Sequence, residues 1–177
     1  MSDADINFYL QQVPTPRQKP SGGSWHGVKE AAVPGMSEQE IWDFLTEGPG
    51  QRMPPQPGQA DAPHVKPVWF VLDGRPGDFQ FLFTTCAESV MGRGLRRNTQ
   101  VAAPADDPAP PYSFVIIEGT AQLSDRVEDV RAAANWIGSR YMGEGRAAEF
   151  GARNGVPGEL LIRLTPARII AQRAVSS

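Results

Sequence analysis

The sequence predicts a mainly β protein, an antiparallel barrel with appended helices. Three observations carry this reading. The chain is rich in runs of β-branched and aromatic residues, and the first of these fold back through a Gly/Pro/Asp turn. Most of the helical periodicity falls later in the chain. No regular strand–helix–strand alternation appears, which argues against a parallel, Rossmann-type sheet.

The elements follow in order. Residues 1–35 read as an N-terminal arm: Gln11 to Gly23 is rich in Pro, Gln, Lys and Ser, Ser21-Gly22-Gly23-Ser24 is a flexible link, and the apolar residues are too sparse for a core. The folded domain is expected over 36–177. Ser37-Glu38-Gln39-Glu40 is a capping-box pattern, followed by Ile41, Phe44 and Leu45 on one helical face and a stop at Gly48-Pro49-Gly50. Residues 51–63 are at best an edge segment, because Pro54, Pro55 and Pro57 cannot donate to a ladder. His64 to Asp73 reads as a strand, Asp73 to Asp78 as a turn, and Phe79 to Thr85 as the returning strand.

A short basic helix is expected within Ala87–Arg97, a short strand at Gln100–Ala103, a loop at Pro104–Pro111, and a long strand at Tyr112–Leu123. Ser124-Asp125 is placed to cap a helix over Arg126–Tyr141, whose apolar residues Val127, Val130, Ala134, Ile137 and Tyr141 recur at three- and four-residue steps. Gly143 and Gly145 break it, a second helix spans Arg146–Arg153, and a final strand pair is expected at Leu160–Leu164 and Arg168–Gln172.

Composition bounds the function. The chain has 177 residues, enough for one domain with a core, and a net charge of -3 with pI about 5.4. That acidity weighs against a nucleic-acid partner. A single cysteine, Cys86, allows no internal disulfide and makes a reducing cytoplasm the default expectation. No apolar run is long enough for a membrane helix, and Met1-Ser2-Asp3-Ala4-Asp5 lacks the basic start of a signal peptide. A soluble, cytoplasmic protein with no membrane partner is expected.

Four blocks then carry a family resemblance. They are Pro63 to Gly74; Phe83-Thr84-Thr85 with Ser89-Val90-x-Gly92-Arg93-x-Leu95-Arg96-Arg97; Pro110 to Val115 running into Glu118-Gly119-Thr120-Ala121; and Arg140-Tyr141-Met142-Gly143 with Arg153 to Leu161. In this order they resemble the pyridoxamine 5'-phosphate oxidase-like superfamily of split β-barrels, and within it the branch using the deazaflavin coenzyme F420. The resemblance covers roughly residues 36–175. It implies a split β-barrel homodimer with cofactor at the subunit interface, and hydride transfer between C5 of the deazaflavin and a small-molecule substrate.

The residues themselves support an anion site. Thr84, Thr85 and Ser89 end a strand and open a helix, where hydroxyls and free backbone N–H groups suit a phosphate. Arg93, Arg96 and Arg97 add charge on the same segment; the alternative is a solvated basic face. The resemblance places Pro67, Val68 and Trp69 against the cofactor ring, although Trp69 fits core packing equally well. It also places Met91 where the family usually has a phosphate-contacting lysine, and Gly94 where it usually has asparagine. On that reading, Met91→Lys should strengthen binding of the deazaflavin. His64 is a possible acid/base, Tyr112 and Tyr141 are phenols able to orient a carbonyl, and Cys86 lacks a histidine partner in local sequence. No zinc, phosphate-loop or catalytic-triad pattern is present. Two rival functions remain open: the same fold holding FMN, and a non-catalytic binding member.

Overall fold

The computed structural model describes residues 35–47, 58–59, 62–63 and 66–176. The arm up to residue 34, the Pro-rich run at 51–57, His64 and Val65 lie outside the described residues.

Helix α1 (Glu38–Glu47) starts on the expected capping box. The Glu40 carboxylate accepts from the Ser37 N–H and from the Ser37 hydroxyl, both at 2.8 Å, and the Glu40 N–H donates back to the hydroxyl at 3.3 Å. These bonds, chiefly the one from the Ser37 backbone, hold the Glu40 carboxyl below the usual carboxylate range. Strands β1 (Gly58–Gln59) and β2 (Ala62–Pro63) pair only with each other, so the segment around 51–63 joins no larger sheet among the described residues.

The main sheet has five strands: β3 (Val71–Arg75), β4 (Asp78–Cys86), β5 (Gln100–Asp107), β6 (Ser113–Ser124) and β7 (Glu159–Gln172). The order is β3-β4-β7-β6-β5, and every ladder is antiparallel. Helices α2 (Val90–Arg97), α3 (Val127–Met142) and α4 (Ala147–Asn154) fill the connections, with a short 3₁₀ turn at Glu144–Arg146 between the last two.

Strand alternation divides the core in two. Phe79, Phe81 and Phe83 of β4 join Val115, Ile117, Leu160, Ile162 and Leu164 on one face, where Ile41 and Leu45 of α1 and Met91 and Leu95 of α2 close over them. Leu82 and Leu161 point to the other face, against Val130, Ala133 and Ile137 of α3.

Four expectations are corrected. The strand expected from His64 enters the five-stranded sheet only at Val71, because Phe70 spends its backbone groups on α3 side chains, as described below. β5 runs through Pro104 to Asp107; as the edge strand it has one partner, and a proline is tolerated there. The final pair is one strand, β7, which carries Pro166 at a bulge: Glu118 pairs with Arg168 and Gly119 with Pro166, leaving Ala167 as the extra residue. Gly119 is required there, since a Cβ would stand 2.1 Å from the Thr165 carbonyl oxygen. Finally, Ser124 does not cap α3; its hydroxyl donates to the buried Asp129 carboxylate at 2.8 Å.

β7 changes neighbours along its length. Residues 159–164 pair with β4, and 161–172 pair with β6. Past Leu164 its other edge takes, among the described residues, one bridge, Gln172 to Gly35 at the entrance to α1.

Candidate functional site

The turn from β4 into α2 is the best-built polar feature on the rim of the sheet. Ser89 is the N-cap of α2. Its hydroxyl donates to the Cys86 carbonyl at 2.7 Å, accepts from the Gly92 N–H at 3.0 Å and lies 3.1 Å from the Thr85 hydroxyl. The Arg93 N–H returns to the Ser89 carbonyl at 3.0 Å, which leaves the Val90 and Met91 N–H groups without an intrahelical acceptor. Gly92 lets the helix sit this close: a Cβ would be 2.3 Å from the Cys86 carbonyl oxygen.

Sequence placed Thr84 and Thr85 together, but the strand separates them. Thr85 pairs with Leu160 and is 4% exposed on the inner face; Thr84 pairs with Leu161 and points toward the α3 side. Met91 is likewise not a surface residue. It is 1% exposed within the inner core, so its side chain is committed to packing and only its backbone N–H faces the turn's donor set. A lysine following the same path would bury an ammonium among apolar groups, which speaks against Met91→Lys adding a phosphate contact.

The three arginines of α2 are all exposed. Arg93 donates to the Glu88 carbonyl at 2.5 Å, and Arg96 lies 3.7 Å from the Glu88 carboxylate. Arg97 has no ion-pair partner among the described residues. The turn therefore presents the Val90 and Met91 N–H groups and the guanidinium groups of α2, with the Glu88 and Glu159 carboxylates nearby; the Ser89 and Thr85 hydroxyl hydrogens are spent within the turn.

Residues 66–70 run toward this rim. Pro67 is exposed, Val68 is buried in the inner core, and Trp69 turns to the opposite face. Trp69 stacks on Tyr141 with ring centroids 4.9 Å apart and planes 6° apart, and touches Phe150 at 5.7 Å. Its indole thus packs on the helices, as does the Tyr141 ring. Lys66 reaches the neighbourhood of Glu159, whose carboxyl is pushed up by partial burial and drawn back by that ammonium. Glu159 stands directly across the ladder from the exposed Cys86. His64 lies outside the described residues. Tyr112 is exposed and sits at the far end of β6, whereas Ser124 at the near end shares Leu161 with Thr84.

Sequence reasoning missed Arg140 as an individual residue. Half-buried on α3, it donates to the Phe70 carbonyl at 3.1 Å and the Leu45 carbonyl at 2.5 Å, and its guanidinium lies 4.6 Å from the centre of the Phe70 ring. Burial lowers its pKa. One signal was available: the N–H that would close the helical bond to Leu45 belongs to position 49, a proline, so that carbonyl needs an outside donor.

A five-stranded antiparallel sheet with helices in its connections is consistent with a split-barrel fold. Residues 56–173 match the pyridoxamine 5'-phosphate oxidase family, and the chain belongs to it. Among solved structures it is similar to the conserved hypothetical protein Rv2991 from Mycobacterium tuberculosis (21% identity, 85% of this chain and 94% of that one, TM-score 0.69). It is also similar to an F420 reductase (20% identity, 72% and 94%, TM-score 0.54). A third is an FAD-binding protein from Mesorhizobium loti (12% identity, 79% and 95%, TM-score 0.54). These identities speak for the fold alone. No curated protein matches the sequence. Among the described residues, no helix is long and apolar enough to cross a membrane, and no cluster of side chains is suited to a metal ion.

Proposed function

We propose that this protein is an oxidoreductase that transfers a hydride between reduced coenzyme F420 and a small conjugated or carbonyl substrate. The observation that carries the reading is the β4–α2 turn, where the Val90 and Met91 N–H groups lack intrahelical acceptors, Arg93 and Arg96 both reach Glu88 beside them, and Arg97 is exposed on the same helix. This donor set fits a cofactor phosphate. When bound, the deazaflavin supplies the two-electron chemistry; the chain supplies charge at the phosphate and a wall, residues 66–69, beside the ring. The family and the F420 reductase and FAD-binding relatives favour a flavin-type cofactor. FMN is the second reading: with Arg96 already beside Glu88, the remaining charge of the turn suits the smaller, less acidic molecule.

A homodimer belongs to the same proposal. Tyr112 and the β4–α2 turn, both in segments that resemble the family, lie at opposite ends of β6, twelve residues and about 40 Å of strand. A second copy is the means by which both serve one ligand.

The test is an absorbance titration of wild type, Arg93→Ala and Arg97→Ala with F420 and with FMN, at two salt concentrations. Loss of a charge-assisted hydrogen bond worth about 1.5–3 kcal/mol weakens binding about ten- to hundredfold. F420 binding by wild type that weakens in either variant supports the leading reading. Binding of FMN alone replaces it with the second. Binding of neither refutes the cofactor site.

A further inference from the structure

The β3–β4 ladder ends at Val71 opposite Leu82. Phe83, Thr84, Thr85 and Cys86 continue to pair with β7 on one side, but among the described residues their other edge has no strand partner. Phe70 would be the next rung opposite Phe83. Instead its N–H donates to the Tyr141 hydroxyl at 3.4 Å and its carbonyl accepts from Arg140 at 3.1 Å. Two consecutive residues of α3 thus take both backbone groups of Phe70, and residues 66–70 leave the sheet there. The same guanidinium holds the Leu45 carbonyl in the last turn of α1. It ties three segments far apart in sequence and has no carboxylate partner among the described residues. A cation half-withdrawn from water without an anion is costly, and its compensation here comes from two carbonyls and the Phe70 and Tyr141 rings.

We propose that Arg140 is a positioning residue for the cofactor: by holding the Phe70 carbonyl it keeps residues 66–69 away from the β4 edge and so shapes the seat of the cofactor ring. This rests on the proposed function above. Arg140 itself touches no cofactor. Its effect reaches the ring through the backbone of residues 66–69 and the exposed Pro67, and it acts by pre-organisation, so that the seat exists before the ligand arrives.

The experiment compares wild type, Arg140→Lys, Arg140→Met and a control, Val130→Ala, which destabilises the same helix from its buried face away from the rim. Melting temperature is measured for each, then the affinity and absorbance spectrum with F420 and with FMN, well below the lowest melting temperature. The expected result is about tenfold weaker binding and an altered bound-cofactor spectrum in Arg140→Met. Arg140→Lys, which keeps the charge but not the two-carbonyl fork, should be intermediate, and Val130→Ala should bind as wild type. Equal affinity in wild type and Arg140→Met overturns the inference while leaving the proposed function standing. An equal loss in Val130→Ala also overturns it, because the effect would then be stability alone. If Arg140→Met does not fold, Arg140→Lys decides between the same outcomes. A wild type that binds neither cofactor overturns the proposed function and this inference together.

Discussion

Two polar constructions among the described residues, the β4–α2 turn and the Arg140–Tyr141 clamp, are built on opposite plans. The β4–α2 turn is self-contained: the bonds of Thr85, Ser89, Gly92 and the Arg93 guanidinium join residues three to five apart. The Arg140–Tyr141 clamp joins residues 70, 71 and 95 apart. A local turn forms once its own residues adopt helical geometry, and its failure stays local. The clamp exists only when α1, the segment before β3 and α3 have all docked, so its loss is felt in all three. The proposed cofactor seat would then have one part fixed by neighbours in sequence and another fixed only by the completed fold.

Substitutions break or sharpen this contrast. The largest expected effect is Met91→Lys, because the turn rests on a buried floor. An ammonium at a 1% exposed position should cost about 4 kcal/mol, read as a lower denaturant midpoint. A variant as stable as wild type would show that position 91 opens to the rim. Arg140→Met removes the donor to two carbonyls and should cost about 3 kcal/mol. Hydrogen exchange should then speed up both in 66–70 and at the end of α1, and a change confined to α3 would deny the three-way tie. Ser89→Ala should cost only about 1 kcal/mol, the ordinary worth of an N-cap, with faster exchange limited to the first turn of α2.

The smallest effect is the pH dependence of the capping box on α1. Glu40 has a folded-state pKa below its unfolded value of 4.5, so its contribution is present above that value and is lost as pH falls through the folded one. Melting curves of wild type and Glu40→Gln should therefore differ at neutral pH and converge in acid. Glu40 also meets Arg173, 133 residues away, but the Ser37 bonds come first among the causes. Arg173→Ala should accordingly leave most of the difference in place.

The same contrast explains what the sequence could reveal. Ser37 with Glu40, Ser89 ahead of α2, and Gly143 after α3 are signals written within a few residues, and each stands where the residues implied. The separation of Thr84 from Thr85 was also legible, since strand alternation alone puts neighbours on opposite faces. The burial of Met91 was not, because whether a helix face meets solvent or a sheet depends on docking. Pro104 and Pro166 misled for a related reason. A proline forbids a central, regular rung but not an edge or a bulge, and which of these it occupies is settled by partners far along the chain. Arg140 was hardest to see, its partners lying 70 and 95 residues away.

The position of β7 carries a consequence for how the chain comes to be assembled. β3 with β4 and β5 with β6 are hairpins that can close on their own as they emerge during synthesis, but they share no ladder with each other. Among the described residues, only 159–172, made after all four, stitch them into one sheet, pairing with β4 over 159–164 and with β6 over 161–172. Until then each hairpin carries an unpaired inner edge, open to the wrong partner. A nascent chain of this protein is thus two unjoined halves awaiting a common seam, and its exposure to misassembly lasts as long as the ribosome takes to travel from β6 to the end of β7.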